Sequence, residues 1–196
     1  MTHSKIQQIE NKYSSCAACS LGDKRRERKA PTCLGRGSLN PDLLVVIPAP
    51  IFDESGPPTP YDPESEEGKL FKQITDKIGI DRQKMYVIPA VACAPPKGER
   101  VTVKMTEACR PFLKEMLLHL NPKAVLLLGP EAMYAWTGQN VSKLMLGSVE
   151  ADKERKVIWT YDFGRYLEAK KNDPDGASLM AKTLFEHWTE IADYLK

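Results

Sequence analysis

Thiols are the residues of this chain best spaced for chemistry. Cys16-Ala17-Ala18-Cys19 is a CxxC pair, Cys93 stands in a proline-rich loop, and Cys109 opens a helical segment. Four thiolates suit zinc or a [4Fe–4S] cluster, because both accept tetrahedral sulfur ligation. Spacing alone does not choose between them. A CxxC also serves as a redox pair, and Cys93 and Cys109 equally suit a buried core. The first eight residues, Met1 to Gln8, carry no apolar stretch of the secretory kind. The thiols are therefore not expected to form a disulfide framework.

A second group is cationic. Lys24, Arg25, Arg26, Arg28, Lys29 and Arg36 fall within 13 positions, against only Glu27 among them and Asp23 just before. Such a run is either a solvated loop or a patch that contacts phosphates, in which case binding depends on salt. His119 and His187 lie on helical segments among apolar neighbours and read as satisfied structural histidines, while His3 sits near the N-terminus. Trp136, Trp159 and Trp188 read as core.

The elements that must position these groups follow from periodicity. Ile6, Ile9 and Tyr13 mark a short amphipathic helix over residues 1–15, and the basic Gly- and Pro-containing stretch from Cys16 to Pro41 reads as a long ordered loop. Leu43-Leu44-Val45-Val46-Ile47 is a continuous apolar run, the pattern of a strand buried on both faces. Six prolines follow (48, 50, 57, 58, 60 and 63) in a long irregular loop at that strand's carboxyl end, where open α/β sheets place ligands. Leu70, Phe71, Ile74 and Ile78 form a helical stripe closed by Gly79. Further strands are expected at Met85–Ile88, Ala124–Leu128 and Val157–Thr160. Helices are expected around Phe112–Leu120, over 131–137 and over 178–195, the last with Leu179, Leu184, Trp188, Ile191 and Leu195 inward. This alternation predicts an α/β three-layer sandwich around a central, mainly parallel four-stranded sheet, with residues 1–196 as one domain.

Bulk properties exclude some classes. No apolar run approaches the roughly 20 residues of a membrane span, so no membrane partner is expected and a cytoplasmic location is, in the host cytoplasm for a viral chain. With 28 Lys and Arg against 26 Asp and Glu, the net charge of +2 does not by itself argue for nucleic acid.

Motif order is more specific than any of these. Cys16-Ala-Ala-Cys19-Ser-Leu is followed by Gly68-Lys69-Leu70, by Ile78-Gly79-Ile80-Asp81-Arg82, and by Met85-Tyr86-Val87. Then come Val91-Ala92-Cys93-Ala94-Pro95-Pro96, Glu107-Ala108-Cys109-Arg110-Pro111, Asn121-Pro122-Lys123 and Leu128-Gly129. In order and spacing this series resembles the family 4 uracil-DNA glycosylases over most of the chain. The resemblance implies a uracil-DNA glycosylase-like fold and a [4Fe–4S] cluster on Cys16, Cys19, Cys93 and Cys109, structural first, with Cys33 left over.

Excising a base requires extruding the nucleotide into a pocket, with a carboxylate or oriented water near the sugar and a donor facing the departing base. The chain departs from the family at all three motifs that supply these groups. Pro48 stands where the family's acid follows the first strand, Pro89 takes the place of the uracil-reading Asn after the second, and Asp162 replaces the His that opens the third motif. Proline offers neither charge nor donor, and a carboxylate repels the developing base anion. Tyr61 matches the aromatic that stacks on the flipped base, or simply packs. The expected function is thus a non-catalytic iron–sulfur protein that binds DNA or serves replication, with a replication protein such as a polymerase as a possible partner. The alternative is an active glycosylase of altered base specificity that draws on Asp53, Glu54 or Asp162. A third reading is an interaction subunit whose basic loop meets an acidic protein surface.

Overall fold

Four apolar pentapeptides build the centre of the molecule. Leu43–Ile47 (β2), Met85–Pro89 (β3), Ala124–Leu128 (β4) and Lys156–Thr160 (β6) lie parallel in the order β3-β2-β4-β6. The structure, a computed structural model, describes residues 2–51, 58–139, 146–149 and 154–196. Two short antiparallel strands, Arg36–Gly37 (β1) beside β3 and Gly147–Ser148 (β5) beside β6, extend the expected four strands to six. Each is two residues long and carries a glycine, so neither shows the alternation or apolar run that marks a strand.

Helices cover both faces, as a sheet buried on both sides requires. On one face, Thr2–Ser14 (α1), Val103–Leu120 (α4) and Gly129–Thr137 (α5) pack Ile6, Ile9, Phe112, Met116 and Met133 against Leu44, Val46, Ile88, Val125 and Leu127. On the other, Glu66–Ile78 (α3), Phe163–Asn172 (α6) and Pro174–Tyr194 (α7) pack Leu70, Phe71, Phe163, Trp188 and Ile191 against Leu43, Val45, Ile47 and Leu126. Trp188 and Trp159 are buried and Trp136 is partly so. Among the described residues no helix is long and apolar enough to cross a membrane.

Three expectations change. The stretch from Cys16 to Pro41 is not only loop, because Ser20–Glu27 forms a helix (α2) whose first turn follows directly on Cys19. The C-terminal helix starts earlier than expected, at Pro174, capped by the Asp173 carboxylate accepting from Gly176 N, and an unexpected helix, α6, precedes it. Leu179 is 62% exposed rather than inward, and the inner face of α7 starts instead with Ala177 and continues through Leu184, Trp188 and Ile191.

The chain order puts β2 at the point where the connections diverge, β3 on one side and β4 on the other. A crevice at the carboxyl ends of the strands is the expected product of that switch.

Candidate functional site

Cys16 and Cys19 flank the turn that leads from α1 to α2, Cys93 follows β3, and Cys109 lies on α4. The fold brings all four to one small cavity, also walled by Tyr13, Gly22, Ala108 and Phe112. Helix α2 seats tightly there: a Cβ on Gly22 would stand 2.9 Å from Cys16 O and 3.0 Å from Ala17 Cα. Burial pushes the Cys93 thiol up and the Cys109 thiol up to about 12. Cys33 is buried, is not among the residues lining this cavity, and is raised by burial to about 11. Among the described residues no group of three His, Cys, Asp or Glu is arranged to hold a single metal ion; the four thiols border a space.

Arg25 belongs to this nest and not to a phosphate-binding surface. It is 7% exposed, donates to Ala30 O at 3.2 Å and Cys16 O at 3.4 Å, and acts on the Cys93 thiol as a neighbouring charge and donor. Its buried Nε has no hydrogen-bond partner. A buried guanidinium with an orphaned donor calls for negative charge, which thiolates holding a metal group supply, so the donor set fits such a group.

The other cations of the run divide. Lys24 pairs with Glu99 at 2.5 Å, Arg26 pairs with Asp23, and Arg28 donates to Ala94 O. Lys29 and Arg36 are exposed. The run therefore does not form one continuous phosphate-facing stripe, because half of it ties α2 to the loops around the thiols.

At the carboxyl ends of β2 and β6 opens a cavity of about 320 Å³. Pro48 and Asp162 both line it, together with Tyr61; Pro89 is buried at the end of β3, in register with Ile47, and does not line it. The ladder runs past that proline, since Ala90 N donates to Ile47 O at 2.7 Å and Val91 N to Pro48 O at 3.3 Å. Five carboxylates face this cavity (Glu67, Glu99, Glu131, Asp162 and Glu168) against the guanidiniums of Arg100 and Arg165.

Asp162 is the best-defined polar group in it. As N-cap of α6 its Oδ1 accepts from Arg165 N at 2.9 Å, and its Oδ2 is ion-paired with Arg165 Nε at 2.9 Å without hydrogen-bond geometry. Arg165 Nη2 reaches on to Glu131 Oε1 at 2.9 Å. Gly129, at φ +81°, makes room: a Cβ there would stand 2.7 Å from Asp162 Oδ2. Burial raises the Asp162 carboxyl above its ordinary value, with Arg165 opposing and Glu131 adding to the rise. The Tyr61 ring packs between Phe71 (centroids 5.1 Å) and Phe163 (5.7 Å), and burial, then Asp162 and Glu67, push its hydroxyl well above the usual value.

Asp53 and Glu54 lie outside the described residues, as does the side chain of His3. His187 is not a satisfied structural histidine: its buried Nδ1 has no partner, and burial lowers its pKa. Glu67, Glu99, Glu131 and Glu168 were not singled out from the sequence, and their only signal there is the acidic balance of segments that the fold later brings together.

Comparison with known proteins places this geometry. The profile of a family described as the uracil DNA glycosylase superfamily matches residues 34–188, a span that includes Pro48, Pro89, Cys93, Cys109 and Asp162 and begins after Cys16 and Cys19. A type-4 uracil-DNA glycosylase of Thermotoga maritima is 25% identical over 168 residues, 84% of this chain and 84% of the relative. Proteins of the same name from Pyrobaculum aerophilum and Archaeoglobus fulgidus are 25% and 27% identical, over 71% and 63% of this chain and 69% and 59% of theirs.

Proposed function

The chain belongs to the uracil DNA glycosylase superfamily, and from that premise we propose that residues 1–196 act as one domain, an iron–sulfur DNA-binding protein that does not excise uracil. The observation that carries this reading is the make-up of the strand-end cavity. A glycosidic bond broken toward uracil leaves negative charge on the base, and stabilising it takes donors or cations aimed at the base oxygen. Here Pro48 and Asp162 stand at two of the family's motif positions, and five carboxylates outnumber two guanidiniums around the same space. A developing anion in that setting is repelled.

Cys16, Cys19, Cys93 and Cys109 would hold a [4Fe–4S] cluster, which when bound staples the N-terminal segment to α4 and the loop after β3. Zinc requires four sulfurs about 2.3 Å from one point. The space the thiols border is only about 10 Å³, so it is the likeness of the motif order to the family 4 enzymes that favours the cluster. A replication protein such as a polymerase remains the partner class of this reading, with the cytoplasm as its location.

The second reading, an active glycosylase, is favoured by the type-4 names of the curated relatives and by a buried carboxyl of raised pKa at Asp162 inside the cavity. Single-turnover base release from uracil-containing single- and double-stranded DNA, with excess cluster-loaded protein, separates the two. No release is expected, alongside DNA binding that weakens as salt rises. Release that disappears on Asp162→Asn establishes the second reading instead.

A further inference from the structure

Two cavities of opposite character meet at Pro60 and Tyr61. Sharing these two residues with the acidic cavity, a second one of about 340 Å³ opens between β3, the edge strand β1 and α3. Its bed is apolar and partly aromatic: Tyr61 and Phe71, tilted 34° to each other, with Met85 and Val87 of β3. Its charged members are Arg36, Lys72 and Arg82, and none of the described residues that line it is acidic. Lys72 and Arg82 share Asp76, at 2.6 Å and 3.1 Å, so one carboxylate serves two cations. Arg36 is exposed and has no ion-pair partner among the described residues. Arg36 of the cationic run and Tyr61 of the proline-rich loop are far apart in the chain; the fold joins them here with Lys72 and Arg82.

We infer that this basic, aromatic-floored cavity holds one nucleotide of a single-stranded DNA, so that nucleic acid is bound beside the glycosylase-like cavity and not in it. The inference rests on the DNA-binding reading above and deepens it. Phosphate is excluded from the strand-end cavity by its carboxylates and attracted here by three cations. A volume in the low range of ligand pockets admits a single base, which an aromatic bed stacks without sequence preference. A base paired within a duplex cannot enter, because it would first have to leave the stack.

The test uses cluster-loaded protein and a fluorescently labelled oligothymidine, read by anisotropy across a salt series. The Arg36→Ala/Arg82→Ala double variant is expected to bind at least tenfold more weakly. Its slope of log affinity against log salt should be shallower by roughly 0.7 for each phosphate contact removed. A bromodeoxyuridine oligomer irradiated in the complex is expected to crosslink to Phe71 or Met85, which line this cavity and not the acidic one. Both arginines are exposed, so their loss leaves the fold intact, and the crosslink needs no variant at all. Wild-type binding that the double variant retains, with crosslinks elsewhere, overturns the inference while the DNA-binding reading stands. Absence of any oligomer binding by the wild type overturns both. Free thymidine monophosphate that binds as tightly as the oligomer and is lost in the variant overturns the assignment to a strand.

Discussion

Asp162 combines two roles that pull its protonation in opposite directions. As N-cap of α6 it gains from ionisation through Arg165 N and the Arg165 guanidinium, while burial in the strand-end cavity opposes the charge and wins, so its pKa lies above the ordinary value. A carboxyl with a raised folded pKa lends stability that is complete below its unfolded value, about 3.9, and is lost as pH rises through the folded value. At neutral pH the buried charge is therefore a net cost. Asn caps a helix as well as Asp does, and Arg165 keeps Glu131 as a partner. Asp162→Asn is thus expected to be more stable than wild type at pH 7, because the substitution removes a charge that burial disfavours. The gap should close as pH falls toward about 4, as urea unfolding at several pH values would show. A wild type that is the more stable at pH 7 would mean that the attraction of Arg165 exceeds the burial cost.

Helix α2 shows how an element can be set by its neighbour against its own propensities. Alanine is favoured over glycine within a helix by about 1 kcal/mol, so Gly22→Ala stabilises α2 taken alone. In the fold the added Cβ meets backbone atoms of the CxxC turn at 2.9 and 3.0 Å, and such crowding costs about 1–3 kcal/mol. Gly22→Ala is expected to lower the thermal midpoint and the iron and sulfide content per chain; full iron content with a raised midpoint would contradict the placement of α2. The same helix explains what the sequence hid. Its buried residues are Leu21, Gly22 and Arg25, so the inward stripe is one apolar residue, one glycine and one charge, and periodicity reads as loop. Helix α6 is hidden in the sequence because its cap, Asp162, stands at the position of a family motif and points to chemistry instead of a helix start. The four central strands were legible because both faces are covered, which forces unbroken apolar runs such as Leu43 to Ile47.

At the scale of the whole molecule, legibility divides by distance. Motif order carried the fold, because each motif is local, and the grouping of the four thiols only through the resemblance it supports. The acidic lining of the strand-end cavity draws on residues from 67 to 168, and the basic cavity on residues from 36 to 87; no local pattern encodes either. The thiol nest has the same long-range character, and its consequence for stability is distributed unevenly. A group bound to Cys16, Cys19, Cys93 and Cys109 would close loops of tens of residues, and a crosslink on that scale is worth about 4 kcal/mol. The parallel sheet, with both faces packed by helices, does not depend on it. Removing the metal under chelation is therefore expected to open residues 16–34 and 91–109 to hydrogen exchange while the amides of β2 and β4 stay protected. In the metal-free state Arg25 loses the negative charge it faces, so Arg25→Met, costly to the loaded protein, is expected to be neutral or stabilising once the metal is gone. Comparing thermal midpoints of the two proteins, loaded and stripped, tests that reversal. A uniform loss of protection across the sheet, with Arg25→Met equally harmful in both states, would mean that the nest is part of the main folding unit and Arg25 a packing residue within it.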